Sequence, residues 1–181
     1  MTAVFIGGSR AVSRLNRRIT ERLDNIMNRQ FTALIGDANG ADKAVQRYFA
    51  SRGYRNVTVH CMDVCRNNVG DWPISQHTAQ PNARRDRLYY AIKDEAMASE
   101  ATCGFMLWDG RSKGTLANVV NLLNCQKKVL LYVGPKKSFF TLANLDDLYH
   151  TLEAVGIRNV SQFLGPLGFS GPTAPPVLRF G

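Results

Sequence analysis

The sequence predicts an α/β fold: a doubly wound, mostly parallel sheet of about five strands with helices on both faces. Three observations carry this expectation. Short apolar runs alternate with stretches of helical periodicity from the first residues onward. The runs are continuously apolar, as in strands buried on both faces. Turn residues punctuate each change of pattern. At 181 residues, with 45% hydrophobic and 20% charged residues, the chain suits a single domain able to bury an ordinary core.

In chain order, TAVFIG (2–7) reads as the first strand and is followed by a basic helix at about 12–29. FTALIG (31–36) is the second strand, and GADKAVQRYFASRG a helix that stops near Gly53. NVTVHC (56–61) is the third strand, after which a long loop runs to about Pro81. ARRDRLYYAIKDEAMASE gives one helix or two short ones before the fourth strand, CGFMLW (103–108). LANVVNLLNC is helical and KKVLLYV (127–133) is the fifth strand. LDDLYHTLEAVG forms a last helix, capped by Asn144 and ended by Gly156. The domain is therefore placed at 1–156, with an irregular Pro/Gly-rich tail at 157–181.

No apolar run has the length of a membrane span. MTAVFIGGSR lacks the basic start of a signal peptide, so a cytoplasmic protein is expected. The four cysteines form no CxxC, and the three histidines are scattered. We therefore expect reduced thiols, with Cys103 and Cys125 buried, and no metal or other cofactor. The net charge of +9 favours an anionic partner, either a phosphorylated small molecule or nucleic acid.

In open parallel sheets ligands bind beyond the carboxyl ends of the strands. Three turns there are rich in glycine and polar residues. Gly7, Gly8, Ser9 and Arg10 follow the first strand. Gly36, Asp37, Asn39 and Gly40 follow the second. Asp109, Arg111, Ser112, Lys113, Gly114 and Thr115 follow the fourth. Glycine admits close backbone approach, and a helix start turns N–H groups and a favourable dipole toward an anion. The ordinary alternative is that such glycines serve only sharp turns. Neither GxGxxG nor GxxxxGK[ST] is present.

The set GGSR, GDANGAD, KDEAM (93–97) and WDGRSKGT resembles the SLOG superfamily over about residues 1–133, most closely its small YspA-like members. The group includes LOG-type phosphoribohydrolases, molybdenum-cofactor carrier proteins and the DNA-processing protein DprA. The resemblance implies a Rossmann-like fold, a nucleotide-derived ligand and a homo-oligomer. It also departs from the LOG motif PGGxGTxxE. Arg111 and Ser112 replace glycines, Lys113 falls at the variable position, and Asn118 replaces the active-site glutamate. An amide cannot exchange a proton as a carboxylate does. In the basic-helix motif, Lys93 keeps one cation while Asp94 takes the place of the other.

The leading expectation is thus binding of an AMP- or ADP-ribose-like ligand. One alternative is N-glycosidic hydrolysis or ribosyl transfer by another acid, with Asp109 and Glu95 as catalytic candidates beside Asp37, Asp42 and Asp94. A second is single-stranded nucleic-acid binding, through a stripe of Arg14, Arg18 and Arg22 and a cluster of Arg84, Arg85 and Arg87 beside Tyr89 and Tyr90. An ordinary charged surface, paired in part with Glu21, Asp24 and Asp86, is preferred for both. The 61–82 loop is read as a lid, with Arg66, Asn67, Asn68 and Trp72 over the ligand, or as a cover for the core.

Overall fold

The computed structural model describes residues 1–167, apart from the side chains of two residues. Its elements are β1 (Ala3–Gly8), α1 (Arg17–Asn28), β2 (Thr32–Gly36), α2 (Ala41–Ser51), β3 (Val57–Cys61), β4 (Ile74–Gln76), α3 (Arg87–Glu100), β5 (Cys103–Trp108), α4 (Lys113–Asn124), β6 (Val129–Val133), β7 (Ser138–Leu142), α5 (Leu145–Ala154) and α6 (Val160–Leu164). One seven-stranded sheet runs in the order β4-β3-β2-β1-β5-β6-β7. All pairs are parallel except β6–β7.

The five expected strands are present, and two short edge strands join them. β4 arises inside the long loop, and β7 turns back on β6 through a tight turn at Lys137, whose φ is 49°. Neither has the apolar run of a central strand. Ile74 and Gln76 are exposed and β7 is mostly half-buried, which is why the pattern of buried strands passes over them.

The double winding follows from a period of two along each strand. On β1, Phe5 points into a core built with α3, α4, α5 and α6, including Met97, Leu116, Leu122, Leu148 and Leu164. Val4 and Ile6 point into the opposite core against α1 and α2, including Ile19, Leu23, Val45 and Phe49. Each such large apolar side chain contributes roughly 1.5–3 kcal/mol on burial. Strand order reverses between β1 and β5, the place where a crevice opens in this architecture.

Asn144 caps α5 as expected, accepting from the Asp147 amide at 2.8 Å. Past Gly156 the chain still packs: α6 puts Val160 and Leu164 into the core. The rest of the expected tail, 168–181, lies outside the described residues. Among the described residues, no helix is long and apolar enough to cross a membrane.

The first helix starts at Arg17, so Arg14 stands outside it and the three-arginine stripe of the nucleic-acid alternative does not form. Arg18 and Arg22 lie over the Phe139 ring, 5.9 and 5.2 Å from its centroid. Arg18 also donates to the Lys137 carbonyl. Glu21 pairs with Arg17, Asp24 accepts from the Tyr48 hydroxyl, and Asp86 caps α3.

Candidate functional site

The three turns sit side by side at the carboxyl edge. The Ser9 amide donates to the Leu107 carbonyl at 2.9 Å, joining the β1 turn to β5. The Ala41 amide donates to the Ser9 carbonyl at 3.1 Å, joining it to the start of α2. Gly40 has φ 88°, and a Cβ there would lie 2.4 Å from the Arg10 Cα. The glycine therefore serves chain-on-chain contact between two turns. Gly8 is similar: a Cβ would strike the Leu107 carbonyl and Ala41. Gly7 is buried among Phe5 and Met106. Arg10 and Asn39 are exposed at this edge, whereas Ser9 is buried.

In the third turn, Asp109 Oδ1 accepts from the amides of Arg111 (3.1 Å) and Ser112 (2.8 Å). Burial opposes its charge, but those two amides and the Ser9 hydroxyl hold its carboxyl below the usual range. Asp109 is thus the anchor of the turn, an ionised acceptor turned inward. Ser112 is the N-cap of α4: its Oγ accepts from the Thr115 amide (3.2 Å) and the Thr115 hydroxyl (2.9 Å). Both hydroxyls serve the helix start. Arg111 and Lys113 are exposed beside it.

The second turn is covered by the chain itself. Asp37, 1% exposed, accepts from three nitrogens of Arg66: the amide at 3.0 Å, Nε at 2.9 Å and Nη2 at 2.6 Å. Burial works against its ionisation, yet the Arg66 contacts and the Lys93 charge keep its pKa lowered. Asn67 Nδ2 donates to the Asp37 carbonyl (2.7 Å) and to Asn39 Oδ1 (3.2 Å). The 61–82 loop therefore does close over this turn through Arg66 and Asn67. Its tryptophan does not: Trp72 is 4% exposed, and its Nε1 donates to the Tyr54 carbonyl at 2.8 Å. Asn68 clamps the Trp72 backbone.

Beneath the turn lies a buried charge cluster. Lys93, 4% exposed, donates to Asp94 Oδ1 at 2.7 Å. Lys93 Nζ and Asp42 Oδ2 both crowd the point where a Gly36 side chain would be. Burial pushes the Asp42 carboxyl up to about 6. Lys93 is thus a counter-ion of the fold here, not a cation presented at the rim. Sequence reading missed this cluster because its members are spread over two helices, and only the glycine hinted at missing volume.

The remaining expected residues meet in a groove between α3 and α4, with a cavity of about 350 Å³. Asp94 and Glu95 line one wall, Gly114, Ala117 and Asn118 the other, and Leu167 also lines the groove. Glu95 is exposed here, while Asp109 turns into its own loop, so the two catalytic candidates have separate surroundings.

The expectation of reduced thiols is overturned in part: Cys61 and Cys65 form a disulfide. Their separation of four residues bridges the end of β3 and the first turn of the loop, a proximity that no CxxC pattern announces. Asp37 and the two sulfurs present ligand atoms within 4.8 Å of one another. The sulfurs are bonded to each other and the carboxylate to Arg66, which accounts for this cluster without an ion. Of the two free thiols, Cys103 is half-buried and Cys125 exposed, contrary to the expected burial of both.

Comparison with protein-family models, with curated proteins and with solved structures finds no match to this chain.

Proposed function

We propose that the chain binds a nucleotide or nucleotide-derived phosphate ligand, AMP- or ADP-ribose-like, at the carboxyl edge of the sheet. The phosphate rests on the first turn of α4, and the rest of the ligand runs along the α3–α4 groove. Gly114 carries this reading. It sits one residue inside the helix, and a Cβ there would meet only Ser112 Oγ, at 4.0 Å. Among the described residues, none uses the room. A ligand oxygen approaching the backbone amides would use it.

Three further features support the reading. The groove volume falls at the small end of small-molecule sites. Arg111 and Lys113 flank the helix start with positive charge, and Asn118 offers an amide to a ribose or base. The placement also suits the SLOG resemblance, whose homo-oligomer would bring a second copy against the exposed apolar residues of α3: Ile92 and, at the groove itself, Leu88.

Turnover of that ligand, as N-glycosidic hydrolysis or ribosyl transfer, is the second reading. One observation favours it: Glu95 shares the groove with Gly114 and Asn118. In that case Glu95, not Asp109, is the acid that faces the ligand.

A melting-temperature screen with AMP and ADP-ribose tests the proposal, because a ligand of the folded state alone stabilises it. The decisive variant is Gly114→Asp. A carboxylate in the first turn favours the helix dipole and so keeps the fold, while it repels a phosphate. We expect a ligand-induced rise in the wild type and none in the variant. Equal rises would place the ligand elsewhere. Chromatography of the same mixtures, with and without Glu95→Gln, separates binding from release of free base.

A further inference from the structure

Cys61 and Cys65 bracket the segment that delivers Arg66 to Asp37. Cys61 is fully buried at the end of β3, fixed by its pairing with Gln76 and by the His77 amide donating to its carbonyl at 2.8 Å. Cys65 is half-buried and belongs to no strand or helix. Its chain neighbour Arg66 holds Asp37 with the backbone amide and with the guanidinium, which also lies 4.6 Å from the centroid of the Tyr90 ring. The next residue, Asn67, bonds to both Asp37 and Asn39. One covalent bond therefore adjoins the residues that cover the β2 turn, which Gln46 also holds by donating from Nε2 to the Asn67 carbonyl at 3.2 Å.

We propose that the Cys61–Cys65 disulfide is a site of thiol–disulfide exchange with dithiols, and that its redox state sets whether Arg66 and Asn67 cover the β2 turn. Attack falls on Cys65, because it keeps exposed surface and Cys61 has none. An external thiolate bonds to Cys65 Sγ, the Cys61–Cys65 bond breaks, and its electron pair leaves with Cys61 Sγ, which takes up a proton. The second thiol of the reductant attacks the mixed disulfide and frees Cys65. The dithiol ends as a disulfide, and two electrons and two protons have entered the protein.

Two sulfurs that are no longer bonded must separate to van der Waals contact. Cys61 is held by the sheet, so the displacement falls on Cys65 and on the Arg66 amide next to it. The three bonds to Asp37 depend on that placement. Oxidised, the turn is closed and the Asp37 charge is balanced by Arg66. Reduced, the turn opens toward the carboxyl edge, with Lys93 still beneath as the remaining counter-charge. The functional meaning of this opening rests on the proposed ligand site, but the opening itself does not.

The experiment compares the full chain in its oxidised form and after dithiothreitol, with thiols counted by a chromogenic disulfide reagent. Amide hydrogen exchange is followed by mass spectrometry. We expect two additional titratable thiols after reduction and at least tenfold faster exchange in peptides covering 62–67, with β1 and β5 peptides unchanged. Cys65→Ser should exchange like the reduced protein without any reductant, and reduced wild type serves in its place if that variant does not fold. Equal exchange in both redox states, or no gain of thiols, overturns the proposal. A parallel melting screen with ADP-ribose in both states reports on the ligand site. A rise in neither state would defeat the ligand reading and leave the exchange result to decide on the clasp.

Discussion

Asp42 Oδ2 and Lys93 Nζ converge on the single point where Gly36 lacks a side chain, 2.5 and 3.0 Å from an ideal Cβ there. The end of β2 thus spends its volume on a buried charge pair. An added methyl group would have to push a carboxylate or an ammonium out of place inside a buried site.

Gly36→Ala is therefore expected to destabilise the protein by about 1–3 kcal/mol, the usual cost of overpacking. In a domain of this length that corresponds to a fall of several degrees in melting temperature, at about 2–4 °C per kcal/mol. Thermal unfolding followed by circular dichroism reads it directly. An unchanged midpoint would mean that the pair has slack the structure does not show.

Much of this architecture was legible beforehand. The apolar runs at Val4–Ile6, Ala33–Ile35 and Phe105–Leu107 are buried on both sides, and that double burial makes such strands readable without neighbours. The carboxyl-edge clustering of the turns followed from the alternation. What the residues in those turns do was not legible. Ser112 and Thr115 look like phosphate donors in sequence, yet here the Ser112 hydroxyl accepts from the Thr115 amide as the helix cap, and the Thr115 hydroxyl donates to that same oxygen. Trp72 failed for a related reason: a long loop with an aromatic residue resembles a lid, but an indole with an apolar body and one N–H is equally suited to a core with one open carbonyl. The role of Lys93 depended on contacts between distant elements, which spacing along one element cannot reveal.

Two buried groups pull the acid-side stability of the protein in opposite directions. His60 faces His77, whose Nε2 lies 3.1 Å from its Nδ1, with Lys93 and Glu100 nearby. Burial, then the His77 and Lys93 charges, lowers the His60 pKa from 6.5 to about 4. Between those values the unfolded chain takes a proton that the folded chain refuses, so this group makes stability fall as pH drops from 6.5 toward 4. Asp42, facing Lys93, Asp94 and Asp37, titrates the other way. Its folded pKa of about 6 lies above its ordinary 3.8, so its contribution is full below 3.8 and is lost as pH rises through 6. The two slopes largely offset each other over the shared window. His60→Gln should remove one of them. Urea unfolding at pH 7 and pH 4.5 is expected to show the variant losing less stability on acidification than the wild type, by up to about 3 kcal/mol. Identical losses would mean that His60 is not held neutral in the fold.

Asp109 separates a structural role from a chemical one. Its Oδ1 accepts two amides of the turn that leads into α4, and an asparagine places an oxygen at the same position. Asp109→Asn should therefore keep the turn, with a small change in melting temperature. Asp109→Ala leaves the Arg111 and Ser112 amides without their acceptor and should cost about 1–2 kcal/mol. An acid that served catalysis would show the reverse ranking in any turnover of a nucleotide: asparagine would abolish the reaction while leaving the fold intact. Melting curves of both variants, run beside chromatography of AMP incubated with each, distinguish the two. The amide geometry predicts that alanine is the damaging substitution and that asparagine is nearly silent in both measurements.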